Sequence, residues 1–211
     1  IQRVPLETNY FETYNRENVL LVDASETPIE TITESGIQTS ETHYEFDVIV
    51  YATGFDAFTG AFDKIDIRGV GGESLRDKWA DGPVTYLGLL VSGFPNLLMI
   101  SGPQTASTNF PRGAELAVNW ATELLEYVWD AGKRRVEAKS ESEQEWFDHV
   151  VKMYEPFLLK SAQSWITGYN SNLDGHEYGN TRYNIYNGGG PKYADRLQQE
   201  AQEEYQGLTF E

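Results

Sequence analysis

The stretch Asp47-Val48-Ile49-Val50-Tyr51-Ala52-Thr53-Gly54-Phe55-Asp56 narrows most what this chain can fold into. An apolar, β-branched run is expected to form a buried strand, and it breaks on a small-small-Gly turn. Neither Thr53 nor Gly54 puts a large side chain in the way, so a ligand's backbone or phosphate can come close there. Such a turn fits a nucleotide or flavin site, and it equally fits a plain tight strand exit.

The pattern around it is that of an α/β chain in which short strands come first and helices follow. Val19–Asp23, Glu30–Thr33 and Ile37–Thr39 read as strands, and Tyr44–Tyr51 as the last and most buried of them. Lys64–Ile67, Leu87–Val91 and Asn96–Ser101 are further strand candidates. Gly69-Val70-Gly71-Gly72 lacks a dinucleotide fingerprint, because Ser74 stands at its sixth position, and a plain turn is expected there. Leu116, Trp120, Leu124 and Val128 recur at helical spacing up to Gly132. Ser140-Glu141-Ser142-Glu143 reads as a capping box for a second helix through Trp146, Val150 and Met153. Pro191 suits the first turn of a third helix through Leu197 and Ala201. Between the last two helices, residues 161–190 form a long Gly-, Asn-, Ser- and Tyr-rich loop, expected to be functional or mobile.

Composition removes several function classes. The 211 residues carry 33 acidic and 16 basic side chains, a net charge of −17, and this field argues against a nucleic-acid partner. There is no cysteine, so disulfides and thiolate metal sites are excluded, which fits a reducing cytoplasm. No apolar run approaches the roughly 20 residues of a membrane helix. His43, His149 and His176 are isolated and lack metal-ligand spacing. Thirteen Tyr, ten Phe and five Trp point instead to a packed interior or to large ligand surfaces.

Several segments, in order, carry a resemblance. They are Arg3-Val4-Pro5 with Tyr10-Phe11-Glu12, the Ala52-Thr53-Gly54 turn, Tyr86-Leu87-Gly88, Phe94-Pro95-Asn96-Leu97, Ser101-Gly102-Pro103, Gln163-Ser164-Trp165 and the Tyr205–Leu208 tail. In this order and spacing the chain resembles the C-terminal part of the type I Baeyer–Villiger monooxygenases, flavoenzymes that include cyclohexanone and phenylacetone monooxygenase. The resemblance implies a fold with two dinucleotide-binding domains, present here incompletely. Residues 1–55 would be the closing strands of the NADP-binding domain, and residues 56–211 the C-terminal half of the FAD-binding domain. It further implies FAD and NADP as cofactors, a small ketone as substrate, and the missing N-terminal half of the same enzyme as partner.

The resemblance also implies roles. Arg3 falls where the family keeps an arginine over the flavin. A guanidinium, charged at every working pH, can brace the oxygen-centred anions of the reaction. Thr53 and Gly54 would sit at the crossing between nucleotide domains, or simply end a strand. Gly102, Pro103, Asn109 and Phe110 would line the flavin, and Thr105, Ala106 and Ser107 would face the substrate; the plain alternative is a loop that caps a helix. Trp165 would contact the nicotinamide dinucleotide, or else anchor the loop above it. Two departures stand out: Gln2 occupies the family's frequent lysine position, and Gly168–Gly175 replaces its Gly-Ala-Asn-x-Pro-Gly-Lys run. A standalone binding domain without catalysis and an N-hydroxylating flavin monooxygenase remain alternatives. Neither Gly-rich fingerprint nor the family's Phe-x-Gly-x-x-x-His-x-x-x-Trp signature occurs in the 211 residues. The 211-residue chain alone is therefore expected to bind FAD poorly and to oxygenate no ketone. Flavin absorbance and product analysis on the purified chain test this, and FAD-dependent ester formation would overturn it.

Overall fold

The computed structural model describes residues 6–106, 109–171, 173–176 and 179–211. The chain divides into two compact units, 2–54 and 55–211. The first holds a short helix α1 (Tyr10–Thr13) and an antiparallel sheet of β1 (Ile29–Ile32), β2 (Gly36–Thr39) and β3 (His43–Glu45), in that order. β1 pairs with β2 through Ile32↔Ile37 and Ile29↔Thr39, with a bulge between, and β2 pairs with β3 through Ile37↔Tyr44. Thr39 locks the β2–β3 turn: its hydroxyl donates to the Thr42 carbonyl (3.0 Å) and accepts from the Thr42 N–H (3.1 Å).

Two expected strands are absent here. Val19–Asp23 and residues 46–51 are not in strands, and Leu20, Leu21, Val48, Val50 and Tyr51 are exposed. An apolar run becomes a strand only where a neighbour supplies the other half of its ladder. No described segment does so for either run.

The second unit contains α2 (Gly60–Asp63), α3 (Leu75–Lys78), α4 (Phe110–Asp130), β4 (Val136–Ala138), α5 (Ser140–Tyr154), α6 (Gly190–Gln202) and β5 (Leu208–Phe210). α4 buries Ala117, Trp120, Ala121, Leu124 and Val128; of the predicted face, Trp120, Leu124 and Val128 are buried and Leu116 only partly so. It ends in a Schellman motif: Gly132 has φ 67°, and Lys133 N–H reaches back to the Val128 carbonyl (3.0 Å). α6 packs on α4, and the Trp120 indole donates to the Leu197 carbonyl at 3.0 Å. The C-terminal tail returns as β5 to pair antiparallel with β4, Ala138 opposite Leu208. These elements enclose a core of Leu89, Leu90, Leu124, Val150, Tyr154, Tyr193 and Leu197, each buried side chain contributing about 1.5–3 kcal/mol. A smaller cluster of Leu75, Trp79, Val91, Phe94 and Met99 lies in the irregular segment before α4.

That segment departs from expectation. Lys64–Ile67, Leu87–Val91 and Asn96–Ser101 are not strands. Leu87 and Gly88 both have positive φ (56° and 71°), so the chain turns sharply between Tyr86 and Leu90, which pair as an isolated bridge. The apolar run is buried as a turn because backbone folded on itself supplies its own hydrogen bonds: Tyr86 N–H reaches the Leu90 carbonyl at 2.8 Å. The Gly69–Gly72 cluster is a turn, with Gly71 and Gly72 left-handed. Among the described residues, no helix is long and apolar enough to cross a membrane.

The expected capping box at α5 does not form. Lys139 occupies the N-cap with no side-chain cap, and Ser140 is already helical. Glu143 turns inward instead. One carboxylate oxygen accepts the Ser92 N–H (2.8 Å), and the other accepts Lys78 Nζ (3.2 Å). Burial raises the pKa of this carboxyl, opposed by the Ser92 N–H and the Lys78 charge. A carboxyl raised in the folded state lends stability that is present below its unfolded pKa and is lost as pH rises through the folded one. Glu143→Ala is expected to cost about 1–2 kcal/mol at neutral pH, because it leaves a partly buried N–H and a partly buried ammonium without their partner. Glu143→Gln should cost less and flatten stability across that pH window. Urea denaturation at a series of pH values checks both, and an alanine variant as stable as the parent would refute the inward staple.

Candidate functional site

The residues singled out by sequence fall into three groups. Arg3 and Ser107 lie outside the described residues. Thr53 and Gly54 belong to the unit 2–54, where both are exposed, and Gly54 takes φ 84° with open space around it. The remaining ones all lie in the unit 55–211.

Gly102 and Pro103 are buried, and they act first as packing residues. A Cβ on Gly102 would lie 2.5 Å from the Gly88 carbonyl oxygen. One on Gly88 would meet Thr105 Cγ2 at 2.4 Å. The two glycines therefore let the 86–90 turn and the 101–106 loop touch backbone to backbone. Gln104 fixes the contact. It is fully buried, with left-handed backbone (φ 68°). Its Oε1 accepts from both the Thr85 N–H (3.1 Å) and the Thr85 hydroxyl (2.8 Å), and its Nε2 donates to the Pro83 carbonyl (2.7 Å). Its own N–H donates to the Asn184 carbonyl at 2.8 Å, and Tyr186 N–H donates to the Thr105 carbonyl at 2.9 Å. The loop is thus laced on one side to the 83–88 turn and on the other to the end of the long 161–190 segment.

Beyond it the chain enters α4. Asn109 is the N-cap, its side-chain oxygen accepting the Arg112 N–H at 3.3 Å, and Phe110 opens the helix 62% exposed. Thr105, Ala106 and Phe110 meet at one cavity, also lined by Phe58, Ser101, Gly113, Ile185 and Tyr193. Trp165 belongs to the same place. It lies on a one-turn 3₁₀ helix (Trp165–Thr167) and stacks on Phe58, with ring centroids 5.5 Å apart and planes 28° from parallel. Its indole remains 52% exposed.

The enclosed space is about 20 Å³, room for about one water, so it is not a pocket for a ring system. Phe110 stands exposed at its rim, beside the smaller Thr105 and Ala106, and Trp165 is exposed where it stacks on the lining residue Phe58. Among the described residues, the lining carries hydroxyls but no ionised group. The Tyr193 hydroxyl is committed to the Leu87 carbonyl (2.6 Å), and burial holds its pKa far above the ordinary phenol value. Burial does the same to Tyr154, whose oxygen accepts the Ile185 N–H at 3.2 Å. None of the described lining residues supplies an acid, base or cation of its own. Among the described residues there is no group of three His, Cys, Asp or Glu that could hold a metal ion.

Sequence reasoning missed Phe58, Gln104 and Tyr193. Tyr193 was accessible, since it stands four residues before Leu197 on the inner face of α6. Phe58 carried no local signal: it is an aromatic with positive φ (63°) in an irregular stretch.

No family model matches the sequence. Curated relatives do match. The chain is 42% identical over 211 residues to the 2-oxo-Δ3-4,5,5-trimethylcyclopentenylacetyl-CoA monooxygenase of Pseudomonas putida, across 99% of this chain and 38% of that protein. It is 39% identical over 163 residues to a Baeyer–Villiger monooxygenase of Pseudooceanicola batsensis, across 77% of this chain and 30% of that protein. It is 36% identical over 208 residues to the phenazine N-monooxygenase of Lysobacter antibioticus, across 98% and 38%. Among solved structures, cyclohexanone monooxygenase from Rhodococcus sp. Phi1, bound to NADP+, superimposes with a TM-score of 0.91 at 34% identity, covering all of this chain and 39% of that one. The chain thus spans 30–39% of the length of the relatives named here. With this identity and this superposition along its length, it matches the C-terminal part of the Baeyer–Villiger monooxygenases.

Proposed function

We propose that the chain forms the C-terminal part of an FAD- and NADPH-dependent monooxygenase that inserts one oxygen atom of O2 into a ketone, giving an ester or lactone. Overall, ketone, O2, NADPH and a proton become ester, NADP+ and water. The observation that carries this reading is the meeting of Thr105, Ala106 and Phe110 at one cavity rim beside the Trp165–Phe58 stack. An aromatic rim with small polar neighbours suits a flat ring system, and relatives superimposing on the whole chain were solved with FAD and NADP bound.

In this reading residues 1–55 contribute the last strands of the NADP-binding domain and residues 56–211 the second half of the FAD-binding domain. The boundary between compact units at Gly54 and Phe55 supports that division. Bound flavin supplies the activation of oxygen, with NADPH as its reductant. The chain's residues do the rest. Thr53 and Gly54 allow a cofactor to approach their backbone closely. Gly102 and Pro103 set the loop, Asn109 and Phe110 face the ring edge, and Trp165 covers the nicotinamide dinucleotide. Thr105, Ala106 and Ser107 leave room for the substrate. Arg3, whose guanidinium is charged at every working pH, would supply the cation that the reaction's oxygen-centred anions need.

A second reading, oxygen transfer to an aromatic nitrogen, is favoured by the similarity to phenazine N-monooxygenase. The enzyme in its full length distinguishes the two. With NADPH, labelled O2 and a panel of cyclic ketones, one labelled oxygen is expected in an ester or lactone. Arg3→Ala should lower ester yield by about 10²-fold or more with flavin absorbance retained. Unchanged ester formation in that variant would remove Arg3 from the chemistry. N-oxide from a nitrogen heterocycle, with no ester from any ketone, would establish the second reading instead.

A further inference from the structure

A buried cation, Arg182, ties together several parts of the long segment that carries Trp165. Arg182 is buried, and its side chain threads between two glycines of positive φ, Gly82 (125°) and Gly168 (81°). A Cβ on Gly168 would stand 2.7 Å from Arg182 Cβ and 2.8 Å from its Cγ and Cδ, and one on Gly82 would stand 3.5 Å from its Cβ. Through Nη2 the guanidinium donates to the carbonyl of buried Trp79 at 2.8 Å, which ties it to the smaller core cluster before α4. Through Nη1 it meets His176 Nε2 at 2.8 Å. Arginine has no acceptor, so Nε2 must accept and the imidazole is neutral with its proton on Nδ1. That Nδ1–H donates to the Gly168 carbonyl at 2.7 Å.

The circuit closes on the Trp165 turn. Gly168 is its C-cap, and the Gly168 N–H donates to the Trp165 carbonyl at 3.1 Å. Arg182 N–H donates to the Thr167 carbonyl at 3.0 Å, inside the same turn. The Thr167 hydroxyl donates back to the Ser164 carbonyl at 2.8 Å. The turn is therefore gripped twice by Arg182, from its backbone directly and from its side chain through His176. No carboxylate among the described residues stands within ion-pair distance of the guanidinium. Asp63, Asp56 and Asp81 act on it only at longer range.

We infer that Arg182 is a positioning residue: acting through His176 and Gly168, it sets the conformation of the Trp165 turn and so the seating of the indole on Phe58. The conformational part stands independently. Its consequence for coenzyme binding rests on the role proposed above for Trp165. Lysine cannot replace this arginine, because one ammonium does not span two acceptors that a planar fork reaches at once. Glutamine can replace His176, because its amide both donates and accepts.

The test uses the full-length enzyme. Trp165 emission and its quenching by acrylamide are isolated by difference against Trp165→Phe, and KM for NADPH is measured beside kcat. Arg182→Ala and His176→Ala are expected to raise the quenching constant of Trp165 about 2- to 4-fold. KM for NADPH should rise about 10-fold, with kcat changed far less, as for a lost binding contribution near 1.4 kcal/mol. His176→Gln should restore both readouts, and Arg182→Lys should not. Where Arg182→Ala fails to fold, the His176→Ala and His176→Gln pair decides. Unchanged Trp165 quenching in folded variants would overturn the inference. Raised quenching with an unchanged KM would leave the latch standing and remove Trp165 from the coenzyme site.

Discussion

The Gln104 amide is the interaction on which the site-bearing unit depends. It is a neutral polar group sealed in a dry interior, and such a group is tolerable only when its donors and acceptors are matched. Here its side-chain oxygen takes two donors from Thr85, and its nitrogen reaches Pro83. Three stretches far apart in sequence, around 83–88, 101–106 and 184–186, converge on this one residue and its neighbours. None of the three is a helix or a regular strand. Without a ladder to satisfy their backbones, they need side-chain partners, and the left-handed backbone at Gln104 aims its amide where those partners are.

Carboxylates do similar work elsewhere in a chain of such acidic composition. Glu143 and Glu200 are both buried. Glu143 binds the Ser92 N–H and Lys78, and Glu200 binds the Gly207 N–H (2.7 Å), with Arg196 3.6 Å away. Each lets a helix hold a turn that has no regular hydrogen-bond partner: α5 holds the 92–93 turn, and α6 holds the bend into β5. A charge-assisted bond to a backbone N–H is stronger than a neutral one, which offsets part of the desolvation cost. The excess acidity is thus partly structural, even though most acidic side chains face solvent.

How much of this was legible in the sequence follows from range. α4 and α6 could be read because helical hydrogen bonds are local and their apolar faces repeat within a few residues. β1 and β2 could be read because only the short Thr33–Ser35 turn separates them. Residues 46–51 and 87–91 misled for one shared reason: an apolar run states that burial or pairing is wanted but not what provides it. Leu87–Val91 is buried by its own turn, and Val48, Val50 and Tyr51 are exposed. The β4–β5 pair joins Ala138 to Leu208, a separation no local pattern encodes. Ser140-x-x-Glu143 matches a capping box letter for letter, yet a carboxylate offered a long-range N–H and an ammonium leaves the cap. At the site, Thr105, Ala106, Phe110 and Trp165 were named by resemblance, whereas the Phe58 beneath the indole and the Gln104 beneath the loop belong to irregular backbone.

That contrast has a physical basis. The side chains proposed to meet a ligand, Phe110 and Trp165, are more than half exposed. Those that fix their positions, Gln104 and Arg182, are buried and saturate backbone acceptors on segments distant in sequence. An exposed aromatic loses little when substituted for stability, since most of its surface was already in water. A buried polar anchor loses its own bonds and strands its partners as well. Stability and ligand contact are thereby carried by different residues, so the rim can vary to suit a ligand while the anchors keep its backbone in place. Under the proposed function, selection for a new ligand would act first on positions such as Ala106 and Phe110, whereas Thr105 also bonds the Gly102 carbonyl through its hydroxyl (2.9 Å) and so belongs partly to the frame.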